Sequence, residues 1–279
     1  MTEAPKLAAV IGWPVRQSVS PVLHSHWLKK HGIKGSYVAL PIEPANFGRC
    51  VAALPLMGFA GASITVPHKE AAFALASLLD EDSRATGAVN TLVFQGDAIA
   101  GMNTDVRGFA ASLSETLGAD AARKGPAAVL GAGGAARAVV LALQRAGSPE
   151  IRLVNRTPGR SDALARSAGG AIRVMPWGDW NGALSDAALL VNTTSLGMTG
   201  KAPLEIALEQ LPRQAAVADI VYNPLETGLL RAAKAKGHRT MDGLGMLMHQ
   251  AVPAFAAWFS VTPQVTPELR AELERALGG

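Results

Sequence analysis

The sequence predicts an α/β fold in two domains, and three observations predict it. An apolar run, Ala127-Ala128-Val129-Leu130, enters a glycine cluster, Gly131-Ala132-Gly133-Gly134, and an alanine-rich helical run leaves it. Elsewhere, short apolar segments alternate with stretches of helical spacing. That alternation builds a largely parallel sheet with helices on both faces. The glycines begin at residue 131 of 279, which leaves room ahead of them for a separate domain.

Leu7 to Gly12 reads as the first strand. A loop rich in Ser and Pro follows, then a helix from about Pro21 to His31, with Ser20 as N-cap and Pro21 at the first helical position. Ser36 to Pro41 is a second strand, Phe47 to Leu56 has helical spacing, and Gly61 to Val66 is a third strand. Pro67 opens another helix. Val89 to Phe94 and Ala98 to Asn103 flank the turn Gln95-Gly96-Asp97 and form an antiparallel hairpin at the sheet edge. A helix from about Val106 to Leu117 leads to a polar linker, Gly118 to Lys124. Beyond the glycine cluster, Ile151 to Val154, Ala188 to Asn192 and Ala216 to Val221 are strands, the last two apolar runs ending in polar residues. Met246 to about Phe259 is helical and apolar on more than one face, so it is expected to be buried, with Gly243 and Gly245 just ahead of it.

Composition narrows the function. The chain is 49% hydrophobic and 17% charged, which suits two cores and excludes a disordered protein. Its net charge of +4 is spread without a dense basic run, so no nucleic-acid partner is expected. The single cysteine, Cys50, cannot form an intramolecular disulfide or, alone, a zinc site, and no metal is expected. No leader pattern and no uninterrupted apolar stretch long enough for a bilayer is present, so a cytoplasmic protein without a membrane partner is expected.

The glycine cluster stands in a strand–turn–helix context, where the backbone of Gly131, Gly133, Gly134 and Ala135 can bring a pyrophosphate onto a helix N-terminus. The next strand ends at Val154, where an NAD site carries an acid for the ribose 2′-hydroxyl. Here the residues are Asn155, Arg156 and Thr157, with Arg160 one helical turn on. Guanidinium groups bind a 2′-phosphate through charge-assisted hydrogen bonds. This Rossmann-type segment therefore predicts NADP as cofactor, against the plainer reading of two solvated surface arginines.

Four segments of the first half stand at strand ends. In Gly12-Trp13-Pro14-Val15-Arg16-Gln17-Ser18-Val19-Ser20-Pro21, capping accounts for Ser20 but not for Ser18, and two close hydroxyls suit a carboxylate or polyol. In Thr65-Val66-Pro67-His68-Lys69, the lysine occupies a first helical turn, where the helix dipole disfavours a cation. Lysine is a proton carrier whose acidity its surroundings can tune. His68, next to it, is a rival base, against the favoured reading as a loop or surface residue. Gly87-Ala88-Val89-Asn90-Thr91 carries an amide that both donates and accepts. Asn103-Thr104-Asp105 ends the hairpin, and Asp105 is read either as a helix cap or as the partner of Lys69.

Together these motifs resemble the shikimate dehydrogenases, NADP-dependent enzymes of aromatic amino-acid (chorismate) biosynthesis. The resemblance runs from Gly12 to about Gln250 and includes Asp242-Gly243-Leu244-Gly245-Met246-Leu247. It implies Lys69 and Asp105 as the catalytic pair in hydride transfer between 3-dehydroshikimate and shikimate. It implies Ser18 and Ser20 at the substrate carboxylate, with Tyr222 near it, and Thr65, Asn90 and Gln250 at ring hydroxyls. Gly243 and Met246 would lie near the nicotinamide. Three positions depart from the family pattern: Ser63 stands where Asn is usual, His68 where Phe is frequent, and Val106 where Gly is common.

The expected organisation is a mixed, mostly parallel substrate-binding catalytic domain over residues 1–105, a Rossmann-type NADP-binding domain over 106–242, and C-terminal helices over 243–279 that return to the first domain. The expected partner is a small-molecule substrate, and the expected assembly a monomer or homodimer. Two rivals are a catabolic quinate/shikimate dehydrogenase, favoured by NAD use, and a non-catalytic NADP-binding sensor, favoured by loss of Lys69 or Asp105.

Overall fold

The computed structural model describes residues 6–278. The chain forms two compact units. One comprises the residues up to Thr104 and those from Gln250 onward; the other runs from Asp105 to His249.

The first unit contains β1 (Lys6–Gly12), α1 (Ser20–Lys30), β2 (Gly35–Pro41), α2 (Phe47–Ala53), β3 (Phe59–Ile64), α3 (Lys69–Leu75), β4 (Leu78–Leu79), α4 (Glu81–Thr86), β5 (Thr91–Gln95) and β6 (Ala98–Met102). Its sheet has the order β2-β1-β3-β5-β6-β4. β1 lies parallel to β2 and β3, and its last five residues are buried, as an interior strand covered on both faces requires. β5 and β6 form the expected antiparallel hairpin. The hairpin does not end the sheet, because β4 pairs in parallel with β6 outside it. Two leucines are too short a run to show a strand period.

Three local boundaries also differ from expectation. Val19, not Ser20, caps α1, and Ser20 is its first residue; the Ser20 N–H donates to Ser18 Oγ at 3.3 Å. α2 stops at Ala53, and Pro55, which lacks an N–H, opens a short 3-10 turn. α3 begins at Lys69, two residues after Pro67, with His68 as its cap.

The chain returns to the first unit within α10 (Gly243–Phe259), followed by α11 (Pro267–Gly278). Trp258 Nε1 donates to the Leu92 carbonyl at 2.9 Å. It passes so close to Gly61 that a Cβ there would lie 2.1 Å from that nitrogen. Glycine is thus required at this crossing by close approach. Around it, His24 stacks on Tyr37 with centroids 4.0 Å apart, and Phe255 and Trp258 flank the imidazole. On the other side of the sheet, Ile11, Phe47, Val51, Ile64 and Leu92 belong to one buried cluster.

The second unit contains α5 (Asp105–Leu117), β7 (Ala127–Leu130), α6 (Gly134–Arg145), β8 (Ile151–Val154), α7 (Pro158–Ala168), β9 (Ile172–Met175), α8 (Trp180–Leu184), β10 (Leu189–Asn192), β11 (Ala216–Asp219), α9 (Gly228–Ala235), β12 (Arg239–Met241) and the start of α10. Every strand pair is parallel, in the order β12-β11-β10-β7-β8-β9. β7, β8, β10 and β11 are buried throughout, which explains their largely apolar composition; the polar exceptions are Arg152, Asn192 and Asp219. The strand order reverses between β7 and β10, and ligands of doubly wound sheets bind at the carboxyl ends of strands around such a point. α10 starts three residues earlier than its apolar run suggests. A Cβ on Gly243 would sit 2.1 Å from the Ile220 carbonyl, so only glycine permits that approach. Among the described residues, no helix is long and apolar enough to cross a membrane.

Candidate active site

In the first unit, two groups of the polar residues singled out from sequence meet: Asn90 with Thr104 and Gln250, and Ser18 with Ser20. Asn90 follows the α4 C-terminus and precedes β5, and its side chain is 2% exposed. Its Nδ2 donates to Thr104 Oγ1 at 2.8 Å and to Gln250 Oε1 at 3.1 Å. Its Oδ1 accepts from the Thr104 N–H at 2.7 Å. The adjacent Asn103 is held from the other side: its N–H donates to Asp80 at 3.3 Å, and its amide donates to Thr86 and to the Ala88 carbonyl, each at 2.9 Å. The backbone immediately ahead of Asp105 is therefore clamped by buried amides. Asp105 itself is buried and begins α5.

Lys69 is half-buried at the start of α3, and its carbonyl accepts from the Val89 N–H at 3.0 Å. The lysine backbone is thus joined to the segment carrying Asn90. Thr65, half-buried, lies just beyond β3, and its N–H donates to the Ile11 carbonyl at 2.9 Å. Ser18 and Ser20 do bring their hydroxyls together: Ser18 Oγ donates to Ser20 Oγ at 3.1 Å. His68 lies in the loop ahead of α3, as read, but it is not on the surface. It is 2% exposed, bonds the Ile42 carbonyl through Nε2 at 2.7 Å and stacks on Phe47 at 4.6 Å. Burial holds its pKa below the usual histidine range, against the raising effect of that carbonyl. Ser63, at the family's usual Asn position, accepts a buried hydrogen bond from Tyr37 at 2.8 Å.

In the second unit, the residues present fit a dinucleotide. Gly131 has a φ of +111°, and a Cβ there would meet Thr193 Oγ1 at 2.6 Å. Gly133 is the extended cap of α6, and a Cβ there would meet nothing within 4 Å, so open space borders the helix N-terminus. Gly134 and Ala135 form the first turn of α6, which contains no acidic residue. An anion is favoured at such a helix start. At the end of β8, Asn155 Nδ2 donates to the Thr157 carbonyl at 2.9 Å, while Arg156 and Arg160 are exposed. Met246 is buried in α10, and Tyr222 is half-buried after β11. Among the described residues, no group of three or more His, Cys, Asp or Glu side chains could hold a metal ion.

The sequence places Asn192 at a strand carboxyl end, where ligands of open α/β sheets lie, but points to no role for Asp219 or Thr227. All three are fully or nearly fully buried at the carboxyl edge of the second sheet. Asp219 accepts from Asn192 Nδ2 and the Val221 N–H, each at 3.0 Å, and from Thr227 Oγ1 at 2.8 Å. Burial pushes its carboxyl up to about 6, and the three hydrogen bonds oppose that rise. The available signal was a carboxylate inside the apolar run Ala216 to Val221, since a buried charge needs partners.

Comparison with known proteins adds two matches to family descriptions: shikimate dehydrogenase substrate binding domain over residues 10–92, and shikimate / quinate 5-dehydrogenase over residues 115–223. The shikimate dehydrogenase (NADP(+)) of Methylobacterium radiotolerans is 52% identical over 100% of both chains. Among solved structures, shikimate 5-dehydrogenase from Thermus thermophilus, in complex with NADP(H) and shikimate, is 37% identical with a TM-score of 0.86, covering 98% of this chain and 100% of that one. Quinate dehydrogenase from Corynebacterium glutamicum, in complex with NAD, is 30% identical with a TM-score of 0.87, covering 96% and 98%.

Proposed function

The chain belongs to the shikimate dehydrogenase family, and we propose that Lys69 and Asp105 are the acid–base pair with which it interconverts 3-dehydroshikimate and shikimate. It is an NADP-dependent oxidoreductase of the shikimate pathway. The observation that carries the reading is the buried Asn90–Thr104–Gln250 cluster, joined through Val89 to the backbone of Lys69 and continuous in sequence with Asp105.

NADPH supplies the hydride when bound. Lys69 Nζ gives its proton to the oxygen at the reacting C3 carbon as charge develops there, and takes it back in the reverse direction. The Asp105 carboxylate orients that ammonium. A cation fixed where negative charge grows stabilises the transition state more than the ground state. Ser18 and Ser20 offer paired hydroxyls to the substrate carboxylate, with Tyr222 as a further contact. Thr65, Asn90 and Gln250 bind ring hydroxyls.

Gly131, Gly133, Gly134 and Ala135 take the pyrophosphate through backbone N–H groups. Asn155, Arg156, Thr157 and Arg160 take the adenosine 2′-phosphate, and Gly243 and Met246 border the nicotinamide. The first unit thus carries the substrate role and the second the cofactor role. The same reading makes the protein a cytoplasmic monomer or homodimer that acts on small molecules and not on nucleic acid.

The test is a panel of shikimate and quinate against NADP+ and NAD+, followed at the reduced-nicotinamide absorbance. The expected result is a clear maximum in kcat/KM for shikimate with NADP+. A higher value for quinate with NAD+ would replace this reading with the catabolic one, and no turnover of either acid would favour the sensor.

A further inference from the structure

We propose that Asp219 is a positioning residue for the cofactor: it holds the Thr193–Leu196 loop and the Val221–Tyr222 segment in the arrangement that NADP requires. The inference rests on the NADP reading above and extends it to a residue outside the glycine turn.

Asp219 ends β11, next to β10 and close to the point where strand order reverses. One of its oxygens, Oδ1, serves two segments: it accepts from Asn192 Nδ2 and from the Val221 N–H, each at 3.0 Å. The other, Oδ2, accepts from Thr227 Oγ1 at 2.8 Å. Thr227 also caps α9 by accepting from the Leu230 N–H.

From Asn192 the connection continues toward the glycine turn. Asn192 Oδ1 accepts from the Thr194 N–H at 3.0 Å and from Thr194 Oγ1 at 2.8 Å. Thr194 Oγ1 accepts from the Leu196 N–H at 3.1 Å, and Asn192 Nδ2 also donates to the Leu196 carbonyl. The loop so folded packs directly on the cofactor turn: Thr193 donates from its N–H and its hydroxyl to the Leu130 carbonyl, at 2.9 and 2.6 Å. A Cβ on Gly131 would meet both Thr193 and Thr194. The loop therefore abuts Gly131 closely, and its placement and that of the glycine turn are coupled.

From Val221 the connection runs the other way. The Val221 carbonyl accepts from the Gly243 N–H at 3.2 Å, and Gly243 abuts Ile220. The two arms are also tied further out, where Thr199 bonds Asn223 through its N–H and its hydroxyl, each at 2.8 Å. Each bonded partner of Asp219 is thus either part of a segment touching the glycine turn, part of the segment that carries Tyr222 and seats Gly243, or the cap of the helix behind them. Core packing alone calls for no carboxylate at this place, since an apolar side chain would avoid its desolvation.

The test is calorimetric titration of the full-length protein with NADP+, comparing wild type with Asp219→Ala and Asp219→Asn, with thermal melting to establish the folded fraction. Losing these bonds is expected to raise Kd in the folded Ala variant about tenfold or more. The Asn variant should stay within about threefold of wild type, because its oxygen still accepts from Asn192 and Val221 and its amide can donate to Thr227. A merely structural role would lower the melting temperature and leave Kd of the folded protein alone. A folded Ala variant that binds NADP+ like wild type overturns the proposal, and so does an Asn variant as weak as the Ala one. If the Ala variant does not fold, Asn192→Ala takes its place, with the same tenfold weakening expected and an unchanged Kd overturning the proposal. Binding replaces turnover in this test, so it stands apart from the identity of the acid substrate. Wild type that fails to bind NADP+ overturns the cofactor reading and this inference with it.

Discussion

Asn90 donates from Nδ2 to Gln250 Oε1 across 3.1 Å, although the two lie 160 positions apart in the chain. The same nitrogen donates to Thr104, so one buried amide joins the segment ahead of β5, the residue before Asp105 and α10. Gln250→Ala is expected to raise KM for shikimate about tenfold with KM for NADP+ unchanged, as loss of one positioned hydrogen bond. Asn90→Ala should cost more, since it also releases the Thr104 N–H. The double mutant should fall short of the product of the single effects. Full multiplicativity in steady-state kinetics would show that the two amides act separately.

Lys69→Ala is expected to lower kcat by about a hundredfold or more with a modest change in KM, because a general acid acts mainly in the transition state. Adding Asp105→Asn to that variant should cost little further, since a partner that works through Lys69 has nothing left to orient. Retention of more than about a tenth of wild-type kcat in Lys69→Ala would remove the lysine from the proton transfer.

Arg156 is exposed at the end of β8, and its contact with a 2′-phosphate would be charge-assisted. Arg156→Ala should raise KM for NADP+ about tenfold to a hundredfold and leave kcat/KM with NAD+ nearly unchanged. Added salt should narrow the preference of the wild-type enzyme, because an exposed ionic contact is screened. Equal losses with both cofactors would place the effect of Arg156 outside 2′-phosphate recognition.

His24 is fully buried, and neither ring nitrogen has a hydrogen-bond partner. Desolvation lowers its pKa from 6.5 to about 3. Between those values the unfolded chain binds a proton that the folded protein refuses, so stability present above pH 6.5 is lost as pH falls toward 3. The loss between pH 6.5 and pH 5 is on the order of 2 kcal/mol. Asp219 acts with the opposite sign: its raised pKa favours the folded state below about 4 and withdraws that contribution as pH rises through about 6. Denaturant titrations at pH 7 and pH 5 should therefore show a smaller acid loss in His24→Phe than in wild type. Equal losses would mean that His24 carries none of it.

Much of the site is legible as short-range chemistry. A glycine at +111° needs no long-range information to be expected at the tight turn between β7 and α6, and two arginines in place of an acid after β8 point to NADP. Alternation of apolar strands with helical stretches likewise suffices for the doubly wound sheet, because its interior strands are buried on both faces. The close placement of Ser18 and Ser20 follows from their spacing.

The remainder depends on packing between residues far apart in sequence. Ser20 reads as a cap because Pro21 follows it, yet the backbone turns one residue earlier and Ser18 accepts the N–H. His68 reads as a loop or surface residue; it does lie in a loop, yet Ile42 and Phe47 close over it. Asp219 looks like the polar end of a strand until Asn192 and Thr227 surround it. By itself the sequence determined the elements, the glycine turn and the kinds of polar group at strand ends, since backbone preference and side-chain period act over a few residues. Only the tertiary structure decided which of those groups are buried and which of them meet, because desolvation and hydrogen-bond partnership depend on what folds against a residue from elsewhere in the chain.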